Sequence, residues 1–546
     1  MGNFTFALAF LAFSGSALGA QQRPNILFIF ADDHAAHAVS AYREHLSYGA
    51  RLPDTPNLDR IATDGMLFVN AFVTNSICGP SRATVLTGQY GHLNGVMTNS
   101  EPLHPTHTTF PALLRDGGYE TAIIGKWHLR TAPTGFDYYE IMAGQGPYYN
   151  PVMHSNTRTD SVRYTGYTQN VITDRALEWL GARDSTRSAR MPDPGAASTD
   201  VDTDADSDAD AKPFALMLHY NATHRYWDPG PDQLELYRDT VFAEPATFRD
   251  EGARRASGFQ LQEMEIALDL FARDLKLEEP NNLTPDQLDQ WRAAYDDDNA
   301  AFIAADPGGD ALKMWNYQRF IRDYMRVVAG LDAAVGRVLD YLDESGLAEN
   351  TVVVYTSDQG FFLGDHGWFD KRWMYEESLR TPLLVRWPRV VEPGSVNRDL
   401  VMNLDFAQTL LDVGGVDAPE SMQGRSIVPL LRGSTPADWR DAIYYQYFAY
   451  PDWHMVQRQY GVRTHRYKLI HYYEIDEWEL FDLSRDPNEL NSVYNEPAYA
   501  ATIASLKERL GELRAEFNVP ATDPVPHVPF DAPAGLRRPP ELRHDH

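Results

Sequence analysis

Four apolar runs without polar alternation limit what this chain can fold into. They lie in Pro24–Asp33 (PNILFIFADD), Thr121–Gly125 (TAIIG), Pro213–Tyr220 (PFALMLHY) and Thr351–Gly360 (TVVVYTSDQG). Runs of this length suit strands covered on both faces, which means a parallel sheet with helices on either side. Segments of helical character lie between and beyond them: 54–66, 111–116 and 315–342. Pro382–Trp387 reads as a further strand. The predicted fold is therefore α/β, with a large mixed, mostly parallel sheet flanked by helices, over residues 21–435. Beyond that the pattern changes. Tyr444–Phe448, Tyr460–Thr464, Tyr467–Tyr472 and Trp478–Leu483 alternate as antiparallel strands do, and a helix is predicted over Ala498–Phe517. Residues 436–525 thus read as a smaller α+β subdomain, followed by an extended, proline-containing tail over 526–546.

Each apolar run stops at residues able to do chemistry. Asp32 and Asp33 close the first, Lys126 and His128 the second, His224 follows the third, and Asp358 and Gln359 close the fourth. In open α/β sheets, ligands bind at the carboxyl ends of the strands. Taken singly, the lysine fits a solvated cation, the histidines fit hydrogen-bonded structural groups, and the acid pair fits a helix cap. Taken together, they fall on one edge of one sheet. Adjacent carboxylates repel unless a cation lies between them, and oxygen-rich clusters suit hard cations. His219 lies inside its strand and reads as structural.

Composition removes several function classes. The 546 residues carry a formal net charge of −29 and a pI near 4.9, so nucleic acid is excluded as the main partner. One cysteine cannot make an intrachain disulfide. Residues 1–20 combine a short apolar run with small residues, the pattern of a cleavable export signal, and place the protein in the periplasm or outside the cell. No other stretch reads as a membrane span. Between 185 and 212, Asp200, Asp202, Asp204, Asp206, Asp208 and Asp210 alternate with small residues, as in a self-repelling surface insertion. Residues 230–312 are polar and partly helical, and are expected to cover the rim of the cleft.

The lone cysteine sits in Ile77-Cys78-Gly79-Pro80-Ser81-Arg82-Ala83-Thr84-Val85-Leu86-Thr87-Gly88. A proline in the first turn and a glycine at the end frame a short helix. Its start favours an anion, and Arg82 adds a planar cation suited to oxyanions. Cys-x-Pro-Ser-Arg followed by Leu-Thr-Gly resembles the signature of the type I sulfatases, of the alkaline phosphatase superfamily. The resemblance runs over most of residues 24–490, including Phe481-Asp482-Leu483 and Asp486–Asn491. It implies that Cys78 is converted by a formylglycine-generating or maturase enzyme to 3-oxoalanine (formylglycine). It implies Ca2+ held by Asp32, Asp33, Asp358 and Gln359 with the modified Cys78. It gives Arg82, Lys126 and Lys371 as cations around the sulfate, His128 as the base, and His224 as the histidine at the leaving oxygen. Gln359 departs from the Asn or His found in many members, while still offering an amide oxygen. The segment Leu363–Arg372 is similar to that of bacterial carbohydrate sulfatases, which implies a sulfated poly- or oligosaccharide substrate. Asp365, His366 and Arg372 are the residues expected to select it. Two other readings compete: a phosphonate or phosphate ester hydrolase, and a sulfated-glycan binding protein with an inactive site.

Overall fold

The computed structural model describes residues 23–188 and 212–526. The export signal at 1–20, nearly all of the acidic stretch and the tail beyond 526 lie outside the described residues. The helix Thr168–Ser188 runs into the start of that stretch, so residues 185–188 are helical.

Ten strands form one sheet. Its central strand, Asn25–Ala31, pairs in parallel with Phe214–His219 on one side and Thr351–Ser357 on the other. Glu120–Lys126 and then Tyr138–Met142 continue the parallel order. Antiparallel strands lie at both flanks: Leu383–Arg386 beside Thr351–Ser357, and Val152–Ser155 beside Tyr138–Met142. The apolar runs therefore occupy the middle of the sheet, where both faces are covered.

The two-residue period of the strand divides each run between two cores. Leu27, Ile29 and Ala31 join the core on one face, and Ile26, Phe28 and Phe30 the core on the other. On the first face the long helix Gly309–Glu344 lays down Tyr324, Val328, Leu331, Val335 and Leu342, all buried. The opposite face is covered by Cys78–Thr87, Phe110–Asp116 and Phe406–Val413. Each fully buried large side chain contributes about 1.5–3 kcal/mol, so the middle of the sheet is a rigid platform for whatever its edge carries.

The C-terminal subdomain is a four-stranded antiparallel sheet, Ala442–Tyr447, Gln459–Thr464, Tyr467–Tyr472 and Glu477–Asp482, with the helix Ala500–Glu516 against it. Its apolar core is continuous with Phe362, Trp368, Trp373 and Tyr375. The segment Phe361–Glu376 is thus an ordered, buried connector. It contains a hairpin of Phe362–Leu363 with Phe369–Asp370, and Trp368 stacks on Trp373 with ring centroids 5.1 Å apart. A glycine is needed where Glu120–Lys126 meets its neighbour. Gly125 has φ 110°, and a Cβ there would lie 1.9 Å from the His219 carbonyl oxygen.

Candidate active site

Register places the ends of the four runs side by side. Ala31 pairs with Ser357, Phe30 with His219, and Gly125 with His219. The next residues of each chain segment project beyond the same edge. Asp33 turns there with φ 60°, and its N–H donates to Asp358 Oδ1 at 3.0 Å. Asp32, Asp33 and Asp358 form one buried group with ligand oxygens within 4.8 Å of one another. Asp32, Cys78 and His224 form another to the same limit.

The Cys78 helix points its start at this group. Ile77 is extended, Ser81 N–H closes the first turn on the Ile77 carbonyl at 3.0 Å, and Gly88 ends the helix at φ 62°. Cys78 Sγ lies 4.0 Å from Asp33 Oδ1 and 3.9 Å from Gln359 Nε2. Burial pushes the thiol well above its ordinary range, and the Asp32 charge adds to the shift. A thiol so held is a poor thiolate nucleophile.

Three cations face the acids. Arg82 reaches Asp358 Oδ2 with Nε at 3.1 Å and Nη2 at 3.0 Å, and lies 3.7 Å from Asp32 Oδ1. Lys126 Nζ donates to Asp32. Lys371 Nζ lies 2.6 Å from Asp33 Oδ2. The balance differs at each carboxylate. Burial disfavours the Asp32 anion, but Lys126, His224 and Arg82 hold it well below the usual range. Asp33 is pushed up to about 6 by burial, against Lys371 and with the Asp32 charge. Asp358 is raised well above its ordinary value by burial and by Asp32. Three cations match three carboxylates in number, but burial and the Asp32 charge still hold Asp33 and Asp358 above their ordinary range.

Two features of the donor set fit a metal. Asp32 Oδ1 and Gln359 Oε1 are buried and make no hydrogen bond among the described residues. Burial, with the Asp32 charge, raises Asp33 and Asp358, and a dication beside them would favour their anions. Carboxylate and amide oxygens at such a point fit a hard divalent cation. Asp32, Asp33, Asp358 and Gln359 are the residues that would hold it.

Two histidines flank the cluster. His224 Nε2 lies 3.9 Å from Asp33 Oδ2, and its Nδ1 bonds the Arg225 carbonyl at 2.7 Å. Burial pushes it down to about 3, with Lys126 and Lys371 adding to the effect against Asp32. His128 is also held well below its ordinary value, by burial and by Lys126. His219 Nδ1 bonds the Lys126 carbonyl at 3.1 Å and lies 3.4 Å from Arg82 Nη1, a structural setting for the strand histidine.

The proposed selectors divide. Asp365 is buried, 3.4 Å from His37 Nε2, and accepts from Leu363 N–H at 3.2 Å. His366 Nδ1 lies 2.8 Å from Asp250 Oδ2, with its backbone N–H on Thr247 Oγ1 at 3.0 Å. Both residues expected to select substrate are buried and paired within the fold. His366 ties the connector to the 230–312 segment through Thr247 and Asp250, and Asp365 ties it to His37. Arg372 differs: it follows Lys371, with Nε 3.0 Å from Asp370 Oδ1 and Nη1 3.3 Å from the Tyr447 hydroxyl.

Sequence reasoning missed two site residues. Gln145 accepts a hydrogen bond from Lys126 Nζ. It sits between Gly144 and Gly146, with φ 61° and 75°, beyond the strand Tyr138–Met142. A glutamine between two glycines after a strand was the available signal. Asn403 is the second. Its Nδ2 donates to Ser81 Oγ at 2.9 Å, and Ser81 in turn donates to the Asp358 carbonyl. No local pattern connects residues 322 positions apart.

A buried anion-accepting helix start, three converging cations and an oxygen cage on one sheet edge define a hydrolase of charged esters. The sulfatase family profile matches residues 24–416, and a profile described as N-sulphoglucosamine sulphohydrolase, C-terminal, matches residues 364–516. The chain belongs to the sulfatase family. It is 40% identical over 518 residues to a Bacteroides thetaiotaomicron protein named N-acetylglucosamine-6-O-sulfatase, covering 91% of this chain and 87% of that one. A solved structure, described as in complex with its substrate D-glucosamine-2-N,6-O-disulfate, superposes with a TM-score of 0.83 at 40% identity, covering 91% and 98% of the two chains. A phosphonate monoester hydrolase from Silicibacter pomeroyi shares the fold at 21% identity, with a TM-score of 0.62 and coverage of 90% and 95%.

Proposed function

We propose that this sulfatase removes the 6-O-sulfate of glucosamine units in sulfated glycans, with Cys78 as formylglycine and Ca2+ in the carboxylate cage. The observation that carries the reading is the 40% identity, over 91% of the chain, to a relative named for that activity. Conversion of Cys78 by a maturation enzyme replaces a thiol that burial keeps protonated with an aldehyde, which once hydrated supplies a hydroxyl nucleophile and a second hydroxyl through which sulfate is released. A bound divalent cation supplies positive charge beside that group.

The remaining chemistry belongs to the side chains. A sulfate monoester resists attack because its own oxygens repel the nucleophile. Arg82, Lys126 and Lys371 set fixed positive charge where that negative charge gathers, in a site closed to bulk water. His128 is kept neutral by burial and Lys126, so it can accept a proton from the nucleophile. His224, with Nε2 3.9 Å from Asp33 Oδ2, is the residue that hands a proton to the departing sugar oxygen. An anionic substrate opposes the part of the downward shift that Lys126 and Lys371 cause. Residues 1–20 serve as the export signal, so the enzyme meets its glycan outside the cytoplasm.

The test is sulfate release from N-acetylglucosamine-6-sulfate, D-glucosamine-2-N,6-O-disulfate and a matched phosphonate ester, with the Cys78 peptide weighed by mass spectrometry. The reading expects a peptide lightened by thiol-to-aldehyde conversion and release of the 6-O-sulfate. Converted protein that prefers the phosphonate ester, or binds without turnover, refutes it.

A further inference from the structure

Among the described residues, the aromatic rings of Tyr226 and Phe271 stand out in their exposure. Tyr226 is 42% exposed and Phe271 37%, while the other Phe, Tyr and Trp side chains are buried or half-buried. The two come from segments 45 positions apart and meet over one side chain, Arg225, whose guanidinium carbon lies 4.5 Å from the Phe271 centroid and 6.0 Å from that of Tyr226. Tyr226 also rests on Arg273, at 5.0 Å. Both arginines are fixed. Arg225 Nε lies 2.7 Å from Asp274 Oδ1, and Arg273 Nη1 lies 2.8 Å from Asp228 Oδ1. Asp274 also accepts from the Phe271 N–H at 2.7 Å, and Lys276 Nζ donates to the Tyr226 carbonyl at 2.7 Å. One carboxylate therefore sets the wedge and one of the rings.

This patch adjoins the reacting centre. Tyr226 is two residues beyond His224, at most about 7 Å of extended chain. Tyr148 ties the same turn down, its hydroxyl donating to the His224 carbonyl. Exposed rings are costly to hold in water, and rings locked by buried ion pairs lose little freedom when covered. The faces of a pyranose present C–H groups that lie flat on an aromatic ring, with hydroxyls at the rim free for neighbouring polar groups.

We propose that Tyr226 and Phe271 form a saccharide platform that binds the sugar joined to the sulfated glucosamine, so that the enzyme favours an oligosaccharide over a free monosaccharide. The inference rests on the substrate reading above. The charge on Arg225 and Arg273 is answered by Asp274 and Asp228, so the surface suits a neutral sugar ring better than a second anion.

The test compares kcat/KM for sulfate release from the 6-O-sulfated monosaccharide and from a disaccharide bearing the same glucosamine. The converted, metal-loaded enzyme is compared with Tyr226→Ala, Phe271→Ala and Tyr226→Phe. We expect the parent enzyme to prefer the disaccharide. Each alanine variant should lose about tenfold more on the disaccharide than on the monosaccharide, carried mainly in KM. Tyr226→Phe keeps the ring and should keep the preference. Equal kcat/KM on both substrates in the parent enzyme, or equal losses on both in the variants, overturns the platform. Calorimetric titration with the desulfated disaccharide separates it from the substrate assignment. Binding that weakens in Tyr226→Ala upholds the platform even where no 6-O-sulfate is released, and no difference between parent and variant counts against it.

Discussion

Gln145 offers the sharpest test of how this site aims its charge. The Lys126 ammonium has three protons, and Asp32 and Gln145 each take one. The third is left for a sulfate oxygen. In Gln145→Ala the ammonium keeps Asp32 alone and gains freedom to swing. A hydrogen bond to a charged group contributes about 1.5–3 kcal/mol. Gln145 is only half-buried, so water replaces part of that, and about 1–2 kcal/mol of transition-state stabilisation should be lost. At 1.36 kcal/mol per tenfold, kcat/KM should fall by roughly 5- to 30-fold. Gln145→Glu keeps the acceptor and adds a negative charge. At a separation of about 6 Å and an effective dielectric near 20, repulsion of the sulfate comes to about 3 kcal/mol, or roughly 100-fold. Steady-state sulfate release measures both, and a thermal melt checks folding, which neither change should disturb. If Gln145→Ala stays within twofold of the parent enzyme, or if Gln145→Glu is the milder variant, the placement of Lys126 does not depend on this loop and the reasoning fails.

Calcium should raise the melting temperature of the parent protein, in keeping with about 2.7 kcal/mol at a hundred times its dissociation constant, and chelation should reverse it. Asp358→Asn should abolish most of that response, as read by differential scanning calorimetry. Glu376 is buried among Arg380, Arg463 Nη2 at 3.1 Å and Lys468 Nζ at 2.9 Å. Glu376→Leu leaves three buried cations short of a partner and should cost about 3–5 kcal/mol in urea unfolding; a loss below 1 kcal/mol speaks against a structural role for the cluster. His34 is buried and pushed down to about 3, against about 6.5 in an unfolded chain. Below pH 6.5 the unfolded chain binds a proton that the folded chain refuses, so stability is full above that pH and declines towards pH 3. His34→Gln should reduce the stability difference between pH 7.5 and pH 5 by about 2 kcal/mol; an unchanged difference assigns the acid sensitivity to other groups.

Much of this protein could be read before any coordinates. An apolar run with no polar alternation has nowhere to sit but the middle of a doubly covered sheet, so the central strands and their chemically equipped ends were visible in Asn25–Ala31, Phe214–His219 and Thr351–Ser357. Cys78 with Pro80, Ser81 and Arg82 is a local pattern, and local patterns survive in one dimension. Other features arise from contacts between distant segments. The segment with Asp365 and His366 carries several charged residues, but the aromatic packing of Trp368, Trp373 and Tyr375 against the C-terminal sheet makes it part of the core. Gln145, Asn403 and the paired rings of Tyr226 and Phe271 gain their roles only when chain segments far apart come within hydrogen-bond or van der Waals reach. Periodicity and end residues follow from backbone geometry, which each stretch obeys alone. Which side chain completes a charge or covers a ring depends on three-dimensional packing, and that is settled only by the whole chain folded at once.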